Sequence, residues 1–190
     1  MIEDNGVISK LGRVDAPQDW VHTINEKNIR MAWHHIIPMQ TFQLLWNKLL
    51  GIRARDVLEK YMDLLMVPNI ENKIAMMQGD NLDGDSKNVL LSKISWPVFN
   101  IVEGPLHRSD DPKKNFDEFR NGLTGGELGR QEDLQWFYKR IHHALETRDA
   151  RVASNMTSRA IKVIRRYKRS PMIMFKKCGS SLFCVGKFIV

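Results

Sequence analysis

The sequence predicts an α+β fold, a mostly helical domain with short embedded strands and a C-terminal helical hairpin. Three observations predict it. Apolar residues recur at helical spacing in four separate stretches, two short runs at residues 28–33 and 97–102 have strand-like content, and the last two helical stretches are joined by a very short connection. A chain of 190 residues is long enough for one such domain with a substantial core. Its 43% hydrophobic and 27% charged residues are ordinary globular composition.

Residues 1–26 mix Gly, Pro, Asp and Asn with few apolar positions and read as an irregular lead-in or linker with one short turn, ahead of a single domain over residues 27–190. Asn28-Ile29-Arg30-Met31-Ala32-Trp33 reads as a strand that delivers His34 and His35 at its end. Pro38 closes the segment because proline cannot donate to a ladder. Phe42, Leu45, Trp46 and Leu49 follow the i, i+3, i+4, i+7 stripe of an amphipathic helix, with Gly51 placed to stop it. Val57, Tyr61, Leu64 and Leu65 repeat the pattern toward Pro68, so residues 41–67 form a helical stretch.

Residues 69–87 are polar and broken. The oxygen-rich run at residues 79–85 resembles a calcium loop, but an EF-hand needs a glutamate at the twelfth place, and counting from Asp80 that place is Leu91. No calcium site is assigned. Residues 90–96 read as one helical turn and residues 97–102 as a strand broken by Gly104-Pro105. Leu134, Phe137, Tyr138, Ile141 and Leu145 mark a helix over residues 130–147. Val152, Met156, Ala160, Val163, Ile164 and Tyr167 mark another over residues 149–168, and together they make a basic helical hairpin over residues 130–168. Residues 180–190 have strand-like content without a functional reading.

No apolar stretch approaches the roughly 18 residues of a membrane span, so a soluble chain is expected. The acidic start lacks the basic-then-apolar order of a secretory signal, which points away from export by that route. The two cysteines, Cys178 and Cys184, lack the multi-cysteine pattern of a disulfide scaffold or zinc ribbon and suggest a reducing compartment.

The net charge of +7 is unevenly placed. Residues 1–100 carry 11 Lys/Arg against 12 Asp/Glu, and residues 101–190 carry 18 against 10. Between residues 159 and 177 stand Arg159, Lys162, Arg165, Arg166, Lys168, Arg169, Lys176 and Lys177, with no acid among them. Such a run is the footprint of a surface that meets a polyanion, or else a solvated helix face.

The chemistry centres on the adjacent imidazoles of His34 and His35. Neighbours on an extended segment point to opposite faces, so one can hold a cation while the other meets a substrate or water. A neutral imidazole ligates metals, and an ordinary pKa of roughly 6.5 lets a free ring take a proton near neutral pH. A second cluster, Asn100-Ile101-Val102-Glu103-Gly104-Pro105-Leu106-His107-Arg108-Ser109-Asp110-Asp111-Pro112, gathers an amide, an imidazole, a guanidinium and paired acids.

Together with Trp33-His34-His35-Ile36-Ile37-Pro38, this cluster resembles the HNH, or His-Me finger, nucleases, and within them the Trp-His-His branch of bacterial polymorphic toxin modules. The resemblance spans residues 29–117 and implies an embedded ββα-metal core, in which a strand ends in the His pair, a second strand follows, and a short helix supplies the last ligand. It implies that His34 and His107 bind one divalent metal ion, that His35 is the general base, and that Arg108 neutralises charge on the scissile phosphate. Asn100 would orient the base or complete the metal site, and its role and that of His107 are interchangeable in this reading. Asp110 and Asp111 are auxiliary ligands or a cap before Pro112.

Two departures stand against the pattern. The 65 positions between His35 and Asn100 require the helical stretch to be looped out, and the last His follows the Asn at one residue less than is common.

The implied activity is a metal-dependent endonuclease that hydrolyses phosphodiester bonds, DNA being favoured, with low sequence specificity. It would be the toxic effector of a bacterial antagonism system, delivered by a signal-peptide-independent route to act in a target cell's cytoplasm. Magnesium, manganese, zinc and nickel all remain open as the ion. Arg159, Lys162, Arg165, Arg166, Lys168 and Arg169 would hold the nucleic acid backbone, and the same surface would suit an acidic immunity protein. A non-catalytic nucleic-acid-binding module and an RNase with the same site are the alternatives. His142, His143 and Glu146 read as a surface helix pair ahead of a second metal site, His22 as an isolated residue, and Trp33 as a packing residue.

Overall fold

In the computed structural model, residues 2–3, 6–9, 17–24, 27–78, 82–106, 115–117, 126–172, 175–178 and 181–184 are described. In chain order they form β1 (Trp20–Ile24), β2 (Lys27–His35), α1 (Met39–Gly51), α2 (Arg55–Leu64), α3 (Ile70–Gln78), α4 (Gly84–Ser95), a 3-10 turn (Val98–Asn100), β3 (Ile101–Pro105), α5 (Gly126–Glu146), α6 (Ala150–Ile164), a second 3-10 turn (Arg165–Tyr167), β4 (Phe175–Cys178) and β5 (Ser181–Cys184). The result is an α+β fold with a three-stranded antiparallel sheet in the order β1-β2-β3 and six helices among the described residues. No helix among them is long and apolar enough to cross a membrane.

The helical stripes meet in one core. Phe42, Leu45, Trp46 and Leu49 of α1 are buried, as are Leu134, Phe137 and Ile141 of α5. Phe42, Phe99 and Phe137 form a triangle of rings, with centroids 5.8 Å apart for Phe42–Phe99, 6.4 Å for Phe42–Phe137 and 6.1 Å for Phe99–Phe137. Rings at such spacing add about 0.5–1.5 kcal/mol per pair beyond the area they bury. Because Phe99 belongs to this triangle, the core fixes the position of its neighbour Asn100. α5 and α6 pack together as the expected helical hairpin, and Asp149 caps α6 by accepting from the backbone N–H groups of Arg151 (2.8 Å) and Val152 (3.0 Å).

Several expectations are corrected. Residues 20–24, read as part of an irregular lead-in, form β1 and pair with β2 from Trp20 opposite Met31 to Ile24 opposite Lys27. Residues 6–8 are docked as well. The Asn47 amide accepts from Ile8 N (2.8 Å) and donates to Ile8 O (2.9 Å), while Trp46 Nε1 donates to Gly6 O (2.8 Å). Gly6 has φ +78°, a backbone conformation that favours glycine, whereas a Cβ there would make only ordinary contacts with Leu50 and Met77.

The stretch read as polar and broken holds two helices. α3 buries Ile74 and Met77 on an i, i+3 face. α4 is a full helix in place of one turn, because Asp83 accepts from Ser86 N at 2.6 Å and starts it well before Leu90. The carboxylate that suggested calcium is therefore a helix cap. Residues 98–100 turn as a 3-10 helix before β3 begins, and Gly104 and Pro105 lie inside that strand, at its edge, in place of breaking it. The C-terminal strand-like run pairs with an unforeseen partner, β5 lying antiparallel to β4.

Candidate functional site

β2 brings the histidines to the middle strand of the sheet. Its ladder with β3 sets His34 opposite Val102 and His35 opposite Ile101, so Asn100, 65 positions away in sequence, arrives next to the pair. The chain between them is α1 to α4, a longer helical insertion than the residues 41–67 expected.

Asn100 is fully buried. Its Oδ1 accepts from Ile37 N at 2.7 Å and its Nδ2 donates to Ile37 O at 2.8 Å, while its own carbonyl accepts from Ile36 N at 2.9 Å. Both ends of the amide are consumed by backbone immediately after the His pair. Asn100 is thus a clamp on the exit of β2, and both of its amide hydrogen bonds are made to Ile37. The same exit is held from the other side, where Asp117 N donates to Ile36 O (2.8 Å) and Gln131 Nε2 donates to Asp117 O (3.1 Å). Arg130, also buried, donates to the carbonyls of Phe99 (3.2 Å), Pro171 (2.9 Å) and Ser170. The start of α5 therefore anchors both segments that meet at the histidines.

His35 closes the end of α4. Its Nε2 lies 2.7 Å from the carbonyl of Ser95, the last residue of that helix, and its ring stacks on Trp96 with centroids 4.1 Å apart and planes 30° apart. A carbonyl can only accept, so Nε2 carries the hydrogen, and in the neutral ring the lone pair is then on Nδ1. Burial pushes the His35 pKa below its ordinary 6.5, the hydrogen bond to Ser95 pulls the other way, and the neighbouring His34 adds a further downward push. The ring is neutral at physiological pH, the form that takes a proton.

His34 is half-buried on the opposite face of β2, the face of Val102. Trp33 shares the His35 face and packs on Trp20, with centroids 5.0 Å apart, as its packing reading expects. Glu103 pairs with Trp33 and so lies on that face too, two register positions from Ile101, a placement that only the strand pairing reveals. His107, Arg108, Asp110 and Asp111 lie outside the described residues. Among the described residues no group of three His, Cys, Asp or Glu side chains gathers as a metal site. His142 stands 4.4 Å from Tyr138, ring to ring, in a T-shaped contact on α5.

Of the six cations assigned to the backbone of a nucleic acid, three are held by acids. Arg165 (3.1 Å) and Lys168 (2.8 Å) share Asp63, and Arg166 pairs with Asp133. Arg159, Lys162 and Arg169 have no acidic partner among the described residues. Sequence reasoning missed Ser95, Trp96, Ile37, Arg130 and Gln131. Most act through backbone carbonyls or as backbone groups, for which no side-chain motif exists. No family model, curated protein or solved structure matches the chain.

Proposed function

We propose that this chain is a metal-dependent endonuclease, with β2, β3 and the segment that follows them serving as a ββα-metal core. The observation that carries this reading is the state of His35, neutral and tethered through Nε2, with the Nδ1 lone pair left to accept a proton. A general base of this kind contributes typically 10²–10⁴-fold to a hydrolysis rate.

In this reading His35 Nδ1 takes the proton of a water that attacks phosphorus. The Ser95 carbonyl, at the negative end of α4, then stabilises the imidazolium through the same hydrogen bond. Asn100 and Asp117 hold the exit of β2 so that the ring does not drift, and Trp96 fixes its plane. His34 supplies an imidazole suited to a divalent ion, and His107 is the further donor the reading needs. When bound, the ion supplies compensation for charge growing on the phosphate oxygens. Arg159, Lys162 and Arg169 meet backbone phosphates without regard to sequence, which accords with low specificity, while DNA as the favoured substrate rests on the family resemblance alone. An acidic inhibitor protein would compete for the same face, as expected of a toxin of bacterial antagonism.

The test is nicking of supercoiled plasmid with magnesium, manganese, zinc or nickel, beside His35→Gln, with transfer RNA offered in parallel. Nicking by the wild type and its loss in His35→Gln support the proposal. Binding without cutting under every ion leaves a nucleic-acid-binding module, and cleavage of transfer RNA alone leaves an RNase.

A further inference from the structure

A second feature lies on the helical hairpin. Of the six large hydrophobic side chains that remain exposed among the described residues, Trp136 (36%) and Val152 (40%) face the same groove between α5 and α6. Met156 and Asn155 complete its floor and wall, and Arg140 and Arg159 stand in its lining; its volume is about 330 Å³. That volume is within the range of small-molecule sites. The Arg140 guanidinium lies over the indole, 5.3 Å from its centroid.

A part-exposed indole carries one arginine over its ring, and neither Arg140 nor Arg159 has an acidic partner among the described residues. No carboxylate lines the groove, so its charge is complementary to an anion. A part-exposed indole with flanking guanidiniums and a primary amide is the chemistry that stacks a nucleobase, meets the phosphates on either side and hydrogen-bonds a base edge.

We propose that this groove binds an unpaired nucleobase and its flanking phosphates on a single strand of nucleic acid. Trp136 stacks the base, Asn155 reaches its edge, and Arg140 and Arg159 hold the phosphates. A duplex cannot use the indole, because its bases already stack on one another. The proposal deepens the nuclease reading and rests on it for the choice of a polyanionic partner. It assigns that enzyme a preference for strands that are single or locally open.

The experiment measures binding of a labelled oligothymidylate of about twelve nucleotides by fluorescence anisotropy in EDTA, so that cleavage plays no part. Wild type, Trp136→Leu and Trp136→Phe are compared, with thermal melting to verify folding. Trp136→Leu is expected to weaken single-strand binding about tenfold, and Trp136→Phe to recover most of it, as loss and return of one stacked base require. An abasic strand of equal length should bind wild type as weakly as oligothymidylate binds Trp136→Leu, and a duplex should bind wild type and Trp136→Leu alike.

Equal binding of the abasic and thymidylate strands, or an unchanged affinity in Trp136→Leu, overturns the proposal. Displacement of both strands by polyglutamate at equal charge concentration overturns it in favour of an acidic protein. Because no step needs catalysis, a protein that never nicks plasmid yet loses strand binding with Trp136 would refute the nuclease reading and leave this one standing.

Discussion

His35 is held by Ser95 from 60 positions away through a part-buried hydrogen bond, and Ile37 by Asn100 from 63 positions away through a buried one. On the helical hairpin, by contrast, Trp136, Arg140, Arg159 and Lys162 reach solvent from helices whose form is set by local spacing and by the Asp149 cap. The strand site is therefore sensitive to single atoms, whereas the hairpin surface tolerates change in stability. A buried polar group left without its partner costs its full desolvation, while an exposed ion pair is worth little.

The largest break in this comparison should come from His35. Replacing it with Gln keeps a donor for the Ser95 carbonyl but removes the base, so plasmid nicking should fall about 10²–10⁴-fold with the melting temperature nearly unchanged. Equal nicking rates would remove His35 from the chemistry.

Next in size is Asn100→Ala, which strands both the N–H and the C=O of Ile37 in the core. Two such groups at about 1–3 kcal/mol each predict a loss of roughly 2–6 kcal/mol in urea denaturation. Asn47→Ala, the matching clamp on Ile8, is only part-buried and should cost less. A larger effect at Asn47 would reverse the contrast.

The pH dependence sharpens the same point. His35 is neutral and half-buried, with a folded pKa below its unfolded value of about 6.5. As pH falls through 6.5 the unfolded chain takes the proton first, so stability present above that pH is lost toward the folded pKa. Denaturation midpoints near pH 7 and pH 5 should differ more for the wild type than for His35→Gln.

The smallest effects belong to the hairpin. Asp63→Asn frees Arg165 and Lys168, should change stability by less than about 1 kcal/mol, and should tighten DNA binding modestly at low salt. Lys162→Gln should lower the slope of log affinity against log salt by about one, uniformly across sequences.

How much was legible follows from the range over which each residue acts. The stripes of α1, α5 and α6 and the strand before His34 are written in neighbours three, four or two positions apart, and those elements stand where the spacing puts them. α3 was missed because Ile74 and Met77 are diluted by Glu71, Asn72 and Lys73. β1 was missed because Trp20-Val21-His22-Thr23-Ile24 becomes a strand only by pairing with β2. At the site, the type of residue at His34, His35 and Asn100 was readable, but the clamp that Asn100 makes on Ile37 was not. Nothing near it in the chain announces that Ile37 takes both ends of its amide.

From its own order of residues the chain determines the helical stripes of α1, α2, α5 and α6, its basic second half and the presence of two adjacent imidazoles on a strand. Only the folded structure decides which ring nitrogen of His35 keeps its hydrogen, which cations Asp63 and Asp133 neutralise, and that a part-exposed indole shares a groove with two arginines. The physical reason is that periodicity acts over a few residues, whereas a hydrogen bond to a distant carbonyl, the loss of water around a ring and the pairing of charges exist only after remote segments have met.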